Sequence, residues 1–181
     1  TIGSDMRAGL DYEHNTKNAE QTMGGTLNTY LWPDVETEKL GLFFEKDMSN
    51  ISYGLRYDQV ELDPKKANVD TGGGMMQRSA NQVYAIAANG GYASATKREF
   101  DNISGFLRFN NIMNGSSYLS LSINERAPDA TELFNAKQNS SAMMRHVGNH
   151  HLSSESHMTI ELGHDGMIFG NHLRGSIFYN D

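Results

Sequence analysis

Between residues 103 and 134, hydrophobic and polar positions alternate with period two. Leu107 and Phe109 fall on one side, with Arg108 and Asn110 on the other. After the polar turn Asn114-Gly115-Ser116-Ser117, Leu119, Leu121 and Ile123 alternate with Ser120, Ser122 and Asn124, until Arg126-Ala127-Pro128 breaks the pattern. Successive side chains of a strand point to opposite faces, so this stretch predicts a β-hairpin with one greasy and one wet side. The same unit recurs along the chain. Met6, Ala8, Leu10 and Tyr12 share a face in residues 5–14, and Leu40, Leu42 and Phe44 do so in 38–46. Ile51, Tyr53, Leu55 and Tyr57 follow in 51–60, then Met158, Ile160 and Leu162, and last Leu173, Ile177 and Tyr179.

About seven strands are therefore expected, in an all-β antiparallel up-and-down meander. Residues 15–36, 63–101 and the stretch from Lys137 to about residue 152 read as long polar loops. The links at 47–50, 114–117 and 164–166 read as short turns. Two short interruptions of the loops are expected. Val83–Ala88 is an apolar element, and Asp129 with Glu132 three residues later is a capping pair opening a helical turn. Long links at one end and short ones at the other are the asymmetry of a membrane β-barrel, whose outward face meets lipid while its polar face lines a wet lumen. A β-sandwich whose two apolar faces meet in a dry core fits the alternation equally, as a secreted binding module with long loops. Pattern alone leaves both open.

Composition narrows function more than fold. Of 181 residues, 38% are hydrophobic, and the formal net charge is −7; mean hydropathy is −0.57. No run is long and apolar enough for a spanning helix, which leaves a barrel untouched. The acidic balance, without a basic cluster interleaved with aromatics, argues against nucleic acid. There is no cysteine, hence no thiolate chemistry. No nucleophile elbow, zinc-protease motif or phosphate loop is present; Gly72-Gly73-Gly74 runs into Met75-Met76 rather than Lys-Ser. The expectation is a protein that is not an enzyme and carries no resident cofactor. The chain opens and closes within alternating patterns, so it reads as part of a longer protein.

Several segments resemble TonB-dependent outer-membrane receptors. Gly54-Leu-Arg-Tyr-Asp58 is similar to a family G-x-R-Y-D strand. Arg126-Ala-Pro-Asp-Ala-Thr-Glu-Leu-Phe134 resembles R-x-P-x-x-x-E-L-F. His146-Val-Gly-Asn-His-His-Leu-Ser-Ser-Glu155 is similar to V-G-N-P-x-L-x-P-E, with His150 and Ser154 where the family commonly has prolines. Order and spacing also agree. The resemblance implies a partial barrel domain over residues 1–181, cut from a barrel of about 22 strands, with the plug, the energy-coupling box and the terminal strand elsewhere. It also implies a Gram-negative outer membrane, the lipid bilayer and an inner-membrane energy-coupling complex as partners, and uptake of a metal or metal chelate. The motifs themselves read as structural: Pro128 has no N–H to offer a ladder and Gly148 permits a tight turn.

Substrate chemistry rests on the loops. Ten Met and seven His are present. Met75-Met76 fall in one long loop and Met143-Met144-Arg145-His146 in another. Thioether and imidazole together suit copper, especially Cu(I). The candidate metal ligands are accordingly Met75, Met76, Met143, Met144 and His146, with copper as transported substrate. The DYEHN start and the RAPDATELF segment also resemble the copper-receptor branch. Iron–siderophore, haem and cobalamin complexes are the competing substrates, and incidental loop Met and His the plainer alternative.

Overall fold

The computed structural model describes residues 5–74, 77–87, 94–112, 117–138 and 146–181. The strands are β1 (Asp5–Met23), β2 (Thr26–Asp47), β3 (Ile51–Pro64), β4 (Arg98–Asn111), β5 (Ser117–Arg126), β6 (Ala136–Lys137), β7 (His146–Val147), β8 (Glu155–Ile168) and β9 (Asn171–Asn180). Helix α1 spans Ala80–Ala87 and α2 spans Ala130–Phe134. One antiparallel sheet runs in the order β1-β2-β3-β4-β5-β8-β9, and β6 pairs β7 in a separate ribbon. The large sheet curls into a half-barrel.

Every neighbour in the sheet is also the next long strand in the chain, so the meander expected from the alternation is what forms. Register follows the greasy rows. Leu10 pairs Leu42, Leu42 pairs Tyr57, and Tyr57 pairs Ile103. Leu107 pairs Leu121, Leu121 pairs Ile160, and Ile160 pairs Tyr179. A one-residue slip anywhere would turn a strand's greasy set to the wet face, so the rows hold the register.

Among the described residues no second sheet covers those rows, which removes the sandwich alternative. Leu10 is 63% exposed, Leu55 60% and Ile177 78%. A continuous apolar face of this extent on a single sheet is stable only against another apolar medium. The opposite face, here called inner, carries Arg56, Asp58, Asn102 and Glu161. Both helices pack on it at the end where the long links lie.

The structure corrects three boundaries. Residues 15–36 are not a loop: β1 and β2 continue as a ladder to Met23↔Thr26. At about 3.3 Å per residue, the 19 residues of β1 reach about 60 Å, whereas crossing a bilayer needs only about 10. Beyond the lipid the outer side chains are polar while inner ones such as Val35 are buried beneath the links, so the simple alternation vanishes although the backbone pairing continues. Gly24 and Gly25 close this hairpin with φ of 59° and 80°, the two left-handed positions a tight hairpin turn asks for. The strand around Leu31-Trp32-Pro33-Asp34 stays in the ladder through register irregularities near Lys17 and Ala19. Second, β4 begins at Arg98, inside the loop expected to run to 101. Third, the last turn lies at Phe169-Gly170, not at 164–166: His164 and Asp165 pair across the hairpin with Gly175 and Arg174. The expected turn at 114–117 lies mostly outside the described residues, but Phe109↔Leu119 fixes the hairpin.

Candidate functional site

Toward the end that carries the long links, the inner face turns apolar. Val60 and Leu62 of β3, Phe100 of β4 and Val35 of β2 meet Val83 and Tyr84 of α1 and Leu133 and Phe134 of α2 in the molecule's dry core. This core holds the long links against the wall. α1 is the apolar element expected near Val83. α2 begins as the capping pair requires. The Asp129 carboxylate accepts from Thr131 N at 2.6 Å and Glu132 N at 2.8 Å. Glu132 in turn accepts from the Asp129 amide at 2.8 Å.

The two motif segments grip each other. Arg126 donates both terminal nitrogens to Glu132, at 2.9 Å and 3.0 Å, and reaches Glu155 at 2.9 Å. This ties the ends of β5 and β8 to α2. Gly148 N donates to Asn135 O at 2.7 Å, and Asn149 N to Glu132 O at 2.7 Å. A Cβ on Gly148 would lie 2.4 Å from the Leu133 carbonyl carbon, so only glycine lets the segments touch. Tyr84 OH donates to Phe134 O at 2.7 Å. Burial pushes that phenol's pKa well above its ordinary value. The Arg126 guanidinium, with the Asp129 amide second, holds the Glu132 carboxyl below the usual range.

On the lumen side of the wall, Arg56 donates to both oxygens of Asp58 at 2.7 Å and to Asp11 at 2.8 Å. Lys39 lies 3.5 Å from Asp58. Three strands are thus cross-linked by a charged net whose partners satisfy one another. Above it, a cleft of about 380 Å³ lies beneath α2, lined by Glu13, Lys17, Lys39, Asp58, Arg126 and Asp129 among others. Its mixed charge suits a hydrated path rather than one anion or cation.

The candidate metal ligands divide. Met75, Met76, Met143 and Met144 lie outside the described residues. His146 is exposed in β7, paired with Lys137 of β6. Its neighbours in sequence take a different role: His150 is 4% exposed, packs its ring on Tyr84 at 5.6 Å, and gives its carbonyl to Arg98. It belongs to the core and not to a ligand shell. Glu155, close by in sequence, is committed to Arg126. Among the described residues no three His, Cys, Asp or Glu side chains cluster to hold a metal.

Sequence reasoning missed the junctions that place the loops. Gln21 near the tip of β1 exchanges two hydrogen bonds with the Gln138 backbone, at 2.6 Å and 3.0 Å. Lys17 donates to Thr131. The signal available was Gly24-Gly25, a hairpin turn inside the supposed loop.

The sequence profile of the family "TonB dependent receptor-like, beta-barrel" matches residues 2–181. The chain belongs to that family. No curated protein matches the sequence. Among solved structures, the copper transporter OprC is similar in fold, with a TM-score of 0.56 and 19% identity over 88% of this chain. The chain spans 25% of that transporter's length.

Proposed function

We propose that this chain is part of the barrel domain of an outer-membrane receptor in a Gram-negative bacterium. It supplies wall and extracellular loops for energy-coupled uptake of a metal or metal chelate, with copper favoured. The observation that carries the reading is the pairing of two faces on one sheet. A greasy row stands uncovered on the outside, while the inside bears the Arg56–Asp58–Asp11 net and an ordered loop assembly. Lipid is the medium that satisfies the first, and a wet lumen the second. The chain does no covalent chemistry in this reading. Release of substrate into the periplasm is driven by an inner-membrane complex acting on the rest of the protein.

Copper is favoured because Met75, Met76, Met143, Met144 and His146 offer soft thioether and imidazole donors in the two long links. The fold likeness to a copper transporter is in keeping with that choice. The test is Cu(I) and Cu(II) binding to the full-length receptor in detergent, then to Met143→Ala, Met144→Ala and His146→Ala. Weakened Cu(I) affinity in these variants is expected. Unchanged affinity in all three removes them from the site. Uptake of iron–siderophore or haem with no copper binding replaces the substrate and leaves the receptor reading intact.

A further inference from the structure

Two hairpin turns among the described residues use a pair of adjacent left-handed residues, one at each end of the sheet. At the long-link end the pair is Gly24-Gly25, which takes this backbone without a clash. At the short-turn end it is Phe169-Gly170, with φ of 50° and 82°. A turn of this kind strongly favours asparagine, aspartate or glycine at its first position. A bulky residue held there is an outlier and is strained. No described residue offsets that strain, because Phe169 is 100% exposed and its ring gains no packing. Strain of this kind points to a contact outside the described chain.

The place of the turn identifies the medium available to it. β8 and β9 keep two distinct faces down to the tip. Leu162, Ile168, Leu173 and Ile177 lie on the greasy side, and the His164 imidazole among them has its Nδ1 2.9 Å from Ser117 Oγ. On the other side Asp165 lies 3.1 Å from His172 and 3.7 Å from Arg174. The greasy row of β8 runs from Met158 to Ile168, 11 residues, and a barrel strand crosses the hydrocarbon in about 9–11. Ile168 therefore stands at the edge of the lipid and Phe169 just past it, at the depth where aromatic rings gather. The β2–β3 turn at the same end, Met48-Ser49-Asn50, carries no aromatic residue.

We propose that Phe169 anchors the short-turn rim of the wall in the adjoining leaflet, with its ring among the headgroups and the first acyl carbons. The proposal rests on the barrel reading above and adds to it one named contact with lipid. Lipid is the partner because the turn continues a face that already requires lipid. A strained phenyl stands where asparagine would sit at ease, because burial of the ring in that interface offsets the strain.

The test uses the full-length receptor folded into vesicles of phosphatidylethanolamine and phosphatidylglycerol and unfolded by urea. Phe169→Asn removes the ring and relieves the turn, so it should stabilise a turn that has no outside contact. The anchor instead predicts a folded-to-unfolded ratio about fivefold lower. Phe169→Trp should match or exceed wild type, which a close-packed protein pocket would not allow. Its added fluorescence, taken as the difference from wild type, should be quenched by lipids brominated near the headgroup and little by iodide in the water. Wild-type or greater stability in Phe169→Asn overturns the proposal, as does added emission that iodide quenches and brominated lipid does not. Equal losses in Phe169→Trp and Phe169→Asn also overturn it, and place the ring against another part of the receptor. Any of these results in a receptor that enters vesicles removes this inference alone. If wild type does not enter vesicles, the barrel reading falls with it.

Discussion

The wall and the loop end are built from the same kinds of residues and are stabilised by different media. In the wall, Leu10, Leu55 and Ile177 are more than half exposed; none of the described residues covers them. At the loop end, Tyr84, Leu133 and Phe134 are 0% exposed and touch only protein. The loop end is thus a small water-soluble core grafted onto a sheet that has no core of its own. Lipid holds the greasy side of the sheet and ladder hydrogen bonds hold its strands, so damage to one region need not spread to the other.

The largest expected effect is in the core. Phe134→Ala removes a fully buried ring and leaves a cavity, at a cost of about 3–5 kcal/mol. The loop assembly should open while the wall persists. Limited proteolysis of the full-length receptor should show new cuts in the links at 65–97 and 127–154, with the heat-modifiable mobility of a folded barrel retained on gels. Loss of barrel mobility together with the new cuts would show that the two regions are one cooperative unit.

The mirror experiment is in the wall. Leu55 stands between Tyr53 and Tyr57 on the greasy face, and Leu55→Arg places a charge against lipid at a cost of about 2–4 kcal/mol near the bilayer centre. Barrel assembly into lipid vesicles should weaken, and loop cleavage should be unchanged in the fraction that assembles. An equal penalty in detergent-solubilised and lipid-embedded receptor is not expected, because detergent deforms around the charge. Arg56 is one residue away and already charged; it costs nothing comparable because it faces Asp58 and Asp11. That contrast between adjacent positions is the sharpest local test of which side is outside.

How much was legible before the structure divides along the same line. The wall was readable because lipid on one side and water on the other impose a period of two, and Leu40-Leu42-Phe44 or Ile51-Tyr53-Leu55-Tyr57 show it directly. Above the lipid the outer face meets water and the inner face meets the loop assembly. Residues 15–36 then lose the signal while keeping the ladder, and they read as loop. Only Gly24-Gly25, a turn needing two left-handed residues, was left to mark the hairpin. The capping pair Asp129–Glu132 was legible because its hydrogen bonds are local. The grip of Gly148 on Leu133, the burial of His150 against Tyr84 and the Gln21–Gln138 junction were not, since each joins residues distant in sequence with no periodic trace. The candidate methionines were chosen on donor chemistry alone. The four paired methionines lie outside the described residues, and the structure adds the junction of Gln21 with Gln138 instead.

The smallest effect expected, and the one that titrates the joint between the regions, is the ion pair of Arg126 with Glu132. The Arg126 guanidinium lowers the Glu132 pKa in the folded protein, so the carboxylate contributes stability that is fully present above its unfolded value of about 4.3. That contribution is lost as pH falls from there through the depressed folded value. The Glu132 side chain is 37% exposed and Arg126 50%, so solvent screens the pair and the contribution is below about 1 kcal/mol. Loop cleavage by an acid-active protease should therefore rise gently as pH drops below the glutamate range. Glu132→Gln cannot titrate, and it keeps one carbonyl for the Asp129 amide and Arg126. It should start slightly more labile at neutral pH and lose this part of the pH response. An unchanged acid slope in Glu132→Gln would place the joint's stability in the Gly148–Leu133 contact and the capping box, and leave the salt bridge as a solvated ornament of the strand ends.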